Sequence, residues 1–300
     1  MDRTFDLVIQ GPGLAASALP QAALELSAER VPAGPGAVRL RAVDPARARA
    51  LLPGLDALGL DAAVVPAGLL LTDFRVAASD FDSTLCAEET LDQVARREGY
   101  GEEIARVTDR AMRGEIRNYS ESLRERIRLI AGCPERAFTD YASGLRYNPG
   151  AETLMAAFRA SGLRRYIVSA GFDQIMEAGA RHFAAEGWRC NRLEVKDGVL
   201  TGRVAGPQEN GGEIIDGEGK RRMVEQLCRD AGAEPKQLIT LGDGWNDVPM
   251  LRFAGLGVAY HAKPRVRALV ALQVNHLGLD SVLSWFEDGE HWRQAALAGG

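Results

Sequence analysis

Two aspartates separated by one residue, Asp80 and Asp82, stand in the segment DFDST directly after a short apolar run. That run, residues 75–79, predicts a strand, and ligands of open α/β sheets bind at the carboxyl ends of strands. On such a loop one carboxylate can attack phosphorus while the other carries protons. A lone Asp-x-Asp is more commonly a solvated polar loop, so the remaining motifs must decide between the two interpretations.

A second acidic segment, residues 241–247 (LGDGWND), follows another predicted strand. Oxygen atoms of carboxylates and carbonyls are the ligands that Mg²⁺ takes in proteins, usually together with several waters. Asp80, Asp243 and a backbone carbonyl of the first loop would supply such a set. Alone, the segment is equally well an ordinary turn; together with the first loop, it predicts a magnesium site.

Two further places could hold an anion. Ser169, Ala170 and Gly171 end a predicted strand and open a helix, where a hydroxyl and free backbone N–H groups bind negative charge. A serine N-cap would explain that serine equally well. Lys220 begins a predicted helix after a glycine-rich run, and its ammonium could neutralise a phosphoryl oxygen, although a solvated surface lysine is the commoner case.

The elements that must position these residues fall into four parts of the chain. We expect a small α+β module over residues 1–73, an α/β core over 74–88 and 146–288, a helical insertion over 89–145 and a frayed tail over 289–300. Strands and helices alternate in the core, which predicts a parallel sheet with helices on both faces.

Hydrophobic periodicity and turn residues predict the individual elements. The strands are predicted at 6–10, 37–43, 61–65, 75–79, 165–169, 237–241 and 257–260, with a hairpin over 193–204. The helices outside the insertion are predicted at 15–27, 45–58, 151–160, 173–185 and 220–231. The expected buried positions of the insertion are Met112, Leu123, Ile127 and Ile130.

The composition argues against several classes of protein. Of the 300 residues, 46% are apolar and the net charge is −5, so a core can form and the basic face of a nucleic-acid-binding protein is not expected. The four cysteines lack paired spacing and the four histidines lack metal-ligand spacing. No apolar run reaches membrane-spanning length, so no membrane partner is expected and the pattern favours a cytoplasmic protein.

The segments that contain Asp80, Ser169, Lys220 and Asp243, in this order along the chain, resemble the motifs of the haloacid dehalogenase-like superfamily. The helical insertion resembles the small-cap branch of that superfamily. Within that branch, residues 111–115 (AMRGE) and 122–126 (SLRER) are similar to the cap signature of the phosphoserine phosphatase family. Residues 191–202 look like its hairpin, and residues 262–264 like its later loop. The resemblance spans about residues 75–283.

This resemblance implies a Rossmann-like parallel sheet with an inserted helical-bundle cap and a small N-terminal α+β domain. It implies hydrolysis of O-phosphoserine to serine and phosphate, the last step of L-serine biosynthesis. The phosphoryl group would pass through an aspartyl-phosphate on Asp80, with Mg²⁺ as the cofactor.

The same resemblance assigns roles to single residues. Asp80 is the nucleophile and a metal ligand. Asp82 protonates the leaving seryl oxygen and then deprotonates the hydrolytic water, while its carbonyl binds the metal. Asp243 is the remaining metal ligand, and Asp247 completes the surroundings of the metal. The residues implied to hold the phosphoryl group are Ser169, Ala170, Gly171, Lys220 and Asn246.

Recognition of the zwitterionic leaving group would fall to Glu89 for the amino group and Arg126 for the carboxylate. An arginine fork matches a carboxylate with two hydrogen bonds. From the residues alone, the neighbouring Glu88 and Arg124 stay open as the true partners. The implied pocket walls from the cap are Met112 and Tyr119.

Three features depart from the family pattern. Ala170 stands where glycine is usual, Trp245 replaces a small residue, and residues 208–219 are rich in glycine and glutamate. One rival hypothesis is therefore a phosphatase or phosphotransferase of the same superfamily that acts on another small phosphomonoester. A second rival is a non-catalytic protein that binds a divalent ion and an amino acid.

The N-terminal module carries its own alternatives. Residues 11–16 (GPGLAA) formally fit a dinucleotide fingerprint, but Pro12 removes a backbone donor and no strand ending in an acid follows at the required distance. The module instead resembles the small regulatory, ACT-like α+β domain found ahead of some bacterial members of the family. It would bind an amino acid, mediate a homodimer, or do neither.

Overall fold

The computed structural model describes residues 4–27, 29–113 and 115–299, and for Met112 the backbone without the side chain. An antiparallel sheet of four strands, in the order β2-β3-β1-β4, forms the N-terminal module. Its strands are β1 (Phe5–Gln10), β2 (Arg30–Gly34), β3 (Ala37–Val43) and β4 (Asp61–Pro66). Its helices are α1 (Gln21–Leu24) and α2 (Pro45–Ala57).

The second sheet has seven strands in the order β11-β10-β9-β5-β6-β7-β8, and they are parallel except for β8, which runs antiparallel to β7. They are β5 (Val76–Ser79), β6 (Arg164–Phe172), β7 (Gly187–Lys196), β8 (Val199–Ala205), β9 (Leu238–Gly242), β10 (Leu256–Tyr260) and β11 (Leu272–Val274). Strand β5 lies between β9 and β6, so the three strands that precede the predicted motifs are neighbours.

Helices cover both faces of this sheet. They are α7 (Ala151–Ala160), α8 (Asp173–His182), α9 (Gly217–Asp230), α10 (Val248–Phe253), α11 (Pro264–Arg267) and α12 (Gly289–Ala298). All four residues of β5 are buried: Val76 and Ala78 pack into the cluster that contains Leu227 of α9, whereas Ala77 packs into the cluster that contains Leu154 of α7. A strand with apolar neighbours on both sides is typical of a parallel sheet.

The cap lies between β5 and α7. Its helices are α3 (Thr90–Arg97), α4 (Gly101–Met112), α5 (Tyr119–Leu129) and α6 (Arg136–Ala142). Leu123, Ile127 and Ile130 are buried, as their spacing predicts. Asn118 caps α5, because its side-chain oxygen accepts the Glu121 N–H at 2.9 Å.

The N-terminal sheet uses both of its faces. Leu7 and Leu40 face α1 and α2, whereas Val8 and Val65 belong to the same buried cluster as Trp285 near the C-terminus. The module is therefore packed directly onto the core.

The predicted fold class is confirmed, but several details of the element prediction are wrong. Residues 15–27 do not form one helix: a 3₁₀ turn at Ala16–Ala18 and the short α1 are separated by Pro20, which interrupts helical hydrogen bonding. Strand β2 and the first half of β7 lack a clear alternating pattern and were missed. The expected frayed tail is a helix, α12, packed against α7.

Further 3₁₀ helices lie at Leu71–Asp73, Gln208–Asn210, Pro235–Gln237, Trp245–Asp247 and Leu279–Trp285. Within the described part of the chain, no helix combines the length and the apolar character needed to cross a bilayer. The predicted domain bounds stay a prediction.

Candidate active site

Asp80 directly follows the central strand β5 and is buried. Its backbone N–H donates to the carbonyl of Leu241 on β9 at 2.9 Å, which keeps the two motif-bearing strands in register. One carboxylate oxygen, Oδ1, accepts the N–H of Phe81 at 2.7 Å, and the other, Oδ2, lies 2.8 Å from Lys220 Nζ. The side chain is thus held at the carboxyl edge of the sheet, facing the ammonium.

Lys220 is completely buried and is not a solvated surface lysine. It lies in the first turn of α9, whose N-cap Asp216 accepts the Gly219 N–H at 2.8 Å. Its Nζ lies 2.8 Å from Asp80 Oδ2 and 2.6 Å from Asp247 Oδ1. Burial opposes its charge, but the two carboxylates outweigh burial and raise the lysine pKa, so the ammonium stays protonated.

Three carboxylates lie together at this place: ligand atoms of Asp80, Asp243 and Asp247 are all within 4.8 Å of one another, and those of Asp80 and Asp247 contact the ammonium. Burial, followed by the charge of Asp247, raises the pKa of Asp80 well above its ordinary value and that of Asp243 to about 7. One lysine cannot neutralise three carboxylates, of which Asp80 and Asp247 are buried and Asp243 is half-buried. The residues present therefore fit a hard divalent cation, since they offer oxygen ligands and an excess of negative charge.

Asp247 also holds the loop that carries Asp243. Its Oδ2 accepts the N–H groups of Asp243 at 3.2 Å and Gly244 at 2.8 Å, while its Oδ1 binds the lysine. A Cβ on Gly242 would lie 2.5 Å from the carboxyl carbon of Asp247, so only glycine allows this approach. Asp247 therefore positions both the loop and the lysine.

Asp82 lies apart from the three clustered carboxylates. Its Oδ1 accepts the N–H of Thr90, the first residue of α3, at 3.3 Å, so a carboxylate of the core caps a helix of the cap domain. Burial, followed by the negative charge of Glu89, raises the Asp82 pKa to about 7. A carboxyl group with that pKa can both donate and accept a proton near neutrality.

Ser169 and Gly171 lie beside Asp82. The Gly171 N–H donates to Ser169 Oγ at 2.9 Å, and a Cβ on Gly171 would lie 3.3 Å from Asp82 Oδ2. The preceding Ala170 is buried, and its carbonyl accepts from Asn191 Nδ2 at 2.8 Å. The structure thus brings this corner of β6 to the Asp80 loop. Strand β6 itself extends to Phe172, beyond its predicted end at residue 169.

Arg126 and Tyr119 lie together on α5 of the cap. The guanidinium carbon of Arg126 is 5.9 Å from the centre of the Tyr119 ring, and its Nη1 is 4.0 Å from Asp92 Oδ1. The Arg126 side chain is only 13% exposed, and its buried Nε has no hydrogen-bond partner among the described residues. Arg124, the alternative, is exposed.

The two adjacent glutamates have different surroundings. Glu88 accepts hydrogen bonds from the Tyr141 hydroxyl and the Arg146 guanidinium, which lower its pKa. Glu89 is exposed, and its Oε1 accepts from Ser83 Oγ at 2.9 Å. Glu89 thus contacts the loop that carries Asp82, whereas Glu88 is bound to Tyr141 and Arg146.

The remaining predicted residues lie at the edges of this site. Asn246 is half-buried in the 3₁₀ turn of the acidic loop, between the 57%-exposed Trp245 and Asp247. The Arg265 guanidinium carbon lies 4.8 Å from the centre of the Trp245 ring. The side chain of Met112 lies outside the described residues, so its predicted place in the pocket wall stays a prediction.

Two residues without a predicted role, Thr84 and Asn191, hold these loops. Thr84 is buried, and its hydroxyl donates to Asp243 Oδ1 at 3.0 Å, which links the two acidic loops. Asn191 joins Ala170 to Ile215, whose N–H donates to its Oδ1 at 2.8 Å. Thr84 lies within the DFDST segment and Asn191 within the predicted hairpin region, so a hydroxyl or amide beside a motif is the signal that the sequence offers.

Comparison with known proteins adds independent information. Residues 77–252 match the haloacid dehalogenase-like hydrolase family. The curated phosphoserine phosphatase of Albidiferax ferrireducens is 43% identical over 220 residues, which are 73% of this chain and 92% of that protein.

Two solved structures are also similar. A haloacid dehalogenase family hydrolase of Salmonella enterica subsp. enterica serovar Typhi has a TM-score of 0.83 and 25% identity, and the alignment covers 95% of this chain and 99% of that one. A phospho-aspartyl intermediate analogue of phosphoserine phosphatase has a TM-score of 0.64 and 30% identity, covering 71% of this chain and 99% of that one.

Proposed function

Because the chain belongs to the haloacid dehalogenase-like hydrolase family, we propose that it is a phosphoserine phosphatase, which hydrolyses O-phosphoserine to serine and phosphate. The observation that carries this proposal is the buried ammonium of Lys220 between Asp80 and Asp247, at the carboxyl ends of adjacent strands. A cation in that place suits a phosphoryl group next to a carboxylate nucleophile. Serine biosynthesis is the pathway that this activity implies.

The reaction proceeds in two displacements at phosphorus. An oxygen of the Asp80 carboxylate attacks phosphorus, the bond from phosphorus to the seryl oxygen breaks, and Asp82 gives its proton to that oxygen. Asp82 then takes a proton from a water molecule, which attacks the aspartyl-phosphate, releases inorganic phosphate and restores Asp80. A carboxyl group with a pKa of about 7 suits both proton transfers of Asp82.

Lys220, Ser169 Oγ, Asn246 and the backbone N–H groups after Ser169 hold the phosphoryl oxygens. Asp80, Asp243 and the carbonyl of Asp82 would hold a divalent cation, which we propose to be Mg²⁺. When bound, it would stabilise the charge that develops on the phosphoryl oxygens. Asp247 keeps Lys220 and the Asp243 loop in place.

Arg126 and Glu89 read the two charges of the leaving serine. The Arg126 side chain is nearly buried, and its Nε is without a partner among the described residues, so a substrate carboxylate would satisfy it. Glu89 offers an exposed carboxylate to an ammonium, whereas Glu88 is occupied by Tyr141 and Arg146.

The test is phosphate release from O-phosphoserine, with Mg²⁺ and with excess EDTA, beside a panel of other small phosphomonoesters. We expect metal-dependent turnover with a strong preference for phosphoserine. Turnover of other esters alone would retain the aspartyl-phosphate chemistry and reject the substrate. An added alcohol that outcompetes water would indicate a phosphotransferase, and no turnover at all would favour the ion- and amino-acid-binding alternative.

The substrate assignment has a matched pair of variants on one helix. We expect Arg126→Ala to raise the KM for phosphoserine at least about tenfold, because one charged hydrogen-bond pair is lost. The KM for an aryl phosphate should stay nearly unchanged. The exposed Arg124→Ala is the control and should change neither KM. An equal effect of Arg126→Ala on both substrates would reject its role as carboxylate reader.

A cytoplasmic location, a homodimer and the regulatory role of residues 1–73 stay predictions. The four cysteines, Cys86, Cys133, Cys190 and Cys228, are buried and unpaired among the described residues, in keeping with the first of these.

A further inference from the structure

The linker that returns from the cap runs beside the linker that leaves the core. Ala87 N donates to the carbonyl of Arg146 at 2.9 Å, and Asn148 N donates to the carbonyl of Leu85, also at 2.9 Å. These bonds place Asn148, some sixty residues away along the chain, against the turn that follows the two catalytic aspartates.

The side-chain amide of Asn148 faces three carbonyls of that turn. Its Nδ2 lies 2.8 Å from the carbonyl oxygen of Thr84, 3.2 Å from that of Ser83 and 3.2 Å from that of Cys86. An amide nitrogen carries two hydrogens and no charge, so it can serve several converging carbonyls without an opposing ion. The outside of the turn is therefore tied to a single donor.

This turn needs an external restraint. Ser83 has a φ of 56°, in the left-handed region that residues other than glycine rarely adopt. Such a conformation persists where the surrounding structure holds it. On the inside of the turn, the N–H groups of Thr84 and Cys86 donate to the Phe81 carbonyl at 3.2 and 2.8 Å. Asn148 provides the bonds on the outside.

The restrained turn reaches further into the site. The Thr84 hydroxyl donates to Asp243 at 3.0 Å, and the Ser83 hydroxyl donates to Glu89 at 2.9 Å. A displacement of the turn would move both hydroxyls together with Asp82. Through this turn, the Asn148 amide thus influences the positions of Asp243, Asp82 and Glu89.

We propose that Asn148 is a positioning residue of the phosphoryl-transfer site. It fixes the turn over residues 81–86, so that Asp80, Asp82 and Asp243 face one phosphoryl group. Asn148 does not touch the substrate and acts through the carbonyls that it binds. The inference rests on the proposed phosphatase chemistry but not on serine as the leaving group.

The test compares Asn148→Ala and Asn148→Asp with the wild-type chain. The aspartate is nearly isosteric, but it turns a donor into an acceptor that faces three carbonyls. We expect kcat to fall about 10- to 100-fold, more in the aspartate variant, with a change in KM of less than about threefold. In a calorimetric titration, Mg²⁺ should bind more weakly to both variants, because Thr84 no longer orients Asp243.

Asn275→Ala is the matched control, because it also removes a side-chain amide, one that donates to Asp56 at 3.0 Å at the N-terminal module. We expect its melting temperature to fall while kcat stays at the wild-type value. If the Asn148 variants lose melting temperature but keep kcat and Mg²⁺ affinity, Asn148 is merely structural and the proposal is overturned. A higher KM at unchanged kcat would overturn it as well.

Failure of this inference is separable from failure of the proposed function. The wild-type substrate panel identifies which ester the chain hydrolyses, and the kcat ratios are then measured on that ester. If no ester is hydrolysed, the Mg²⁺ titration alone decides: equal affinity of wild-type and Asn148→Asp chains rejects the positioning role. Should Asn148→Ala not fold, the isosteric aspartate variant carries the comparison.

Discussion

Arg39 and Lys220 are both buried cations, but the charges around them are balanced in opposite ways. Arg39, whose side chain is 2% exposed, lies 3.2 Å from Asp6 and donates to the carbonyls of Ser284 and Trp285 at 3.1 and 3.0 Å. Asp6 also accepts the Ala42 N–H at 3.0 Å. Each charge of this pair has a partner inside the protein.

Lys220 has three carboxylates within the same cluster, so negative charge is in excess there. Burial and mutual repulsion raise the pKa of Asp80 and Asp243, which is the response expected where carboxylates outnumber the cations beside them. The difference indicates that a buried pair with matched charges joins two parts of a fold, whereas a buried cluster with unmatched charge is built to receive a charged ligand.

The largest expected effect separates the two clusters by activity. Asp80→Asn removes the nucleophile with little change in shape, so we expect kcat to fall at least about 10⁴-fold with the fold retained. Asp6→Asn makes the same change in the other cluster and should keep kcat within about twofold while lowering the melting temperature. Phosphate release and thermal unfolding measure both, and near-normal turnover by Asp80→Asn would reject the covalent mechanism.

Arg39→Met tests the balanced cluster. It removes the buried partner of Asp6, which keeps only the part-exposed Arg41 at 3.4 Å. Breaking a buried pair costs up to about 3–5 kcal/mol of unfolding free energy. Denaturant unfolding measures the loss, and kcat per folded molecule should not change. A stability loss below about 1 kcal/mol would show that water replaces the arginine and that the pair does not join the module to the core.

Metal removal should affect the unbalanced cluster in a pH-dependent way. Asp243 of this cluster and Asp82, which lies outside it, have folded-state pKa values of about 7, above the ordinary value of 3.8. Between about pH 4 and 7 the metal-free folded chain therefore binds more protons than the unfolded chain, and its stability falls as pH rises through that window. Mg²⁺ should offset this loss.

Melting temperatures with Mg²⁺ and with EDTA check this expectation. At a saturating metal concentration, about 100 times the dissociation constant, the stabilisation is about 2.7 kcal/mol. The metal-induced rise should be larger near pH 8 than near pH 5. An equal rise at both pH values would mean that the carboxylates do not share the metal site.

The smallest expected effect is the most direct test of the excess negative charge around Lys220. In metal-free protein near pH 8, Asp243→Asn removes one charge from the overfull cluster, and we expect it to raise stability by roughly 1 kcal/mol. It should also weaken Mg²⁺ binding. A lower melting temperature in EDTA would show that the hydrogen bond from Thr84 to Asp243 stabilises the fold by more than the charge of Asp243 destabilises it.

The positions of the motif residues could be predicted because they depend on local signals. Asp80 and Asp243 each directly follow an apolar strand, Ser169 lies near the end of a third, and adjacent parallel strands bring such residues to one edge. Helix α7 and strand β3 coincide with the ranges predicted from periodicity. The acidic cluster is therefore largely predictable from residue type and strand order.

Other features depend on contacts between distant residues and have no local signal. The burial of Lys220 follows from the approach of α9 to β5, and the bonds of Asn148 follow from the pairing of two linkers. Helix α12 was missed because its sequence resembles a terminal tail until it packs on α7. Local propensity cannot predict such contacts between distant segments.

The attachment of the N-terminal module has a consequence for synthesis of the chain. Asp61 at the start of β4 accepts the N–H groups of Asn275, His276 and Leu277, and Arg39 binds carbonyls some 245 residues later. A ribosome makes the module before it makes the segment that binds the module. One face of the nascent sheet, with Arg39 and Val8, thus stays exposed to solvent until residues 275–285 emerge. The module completes its folding only after the catalytic core has been made.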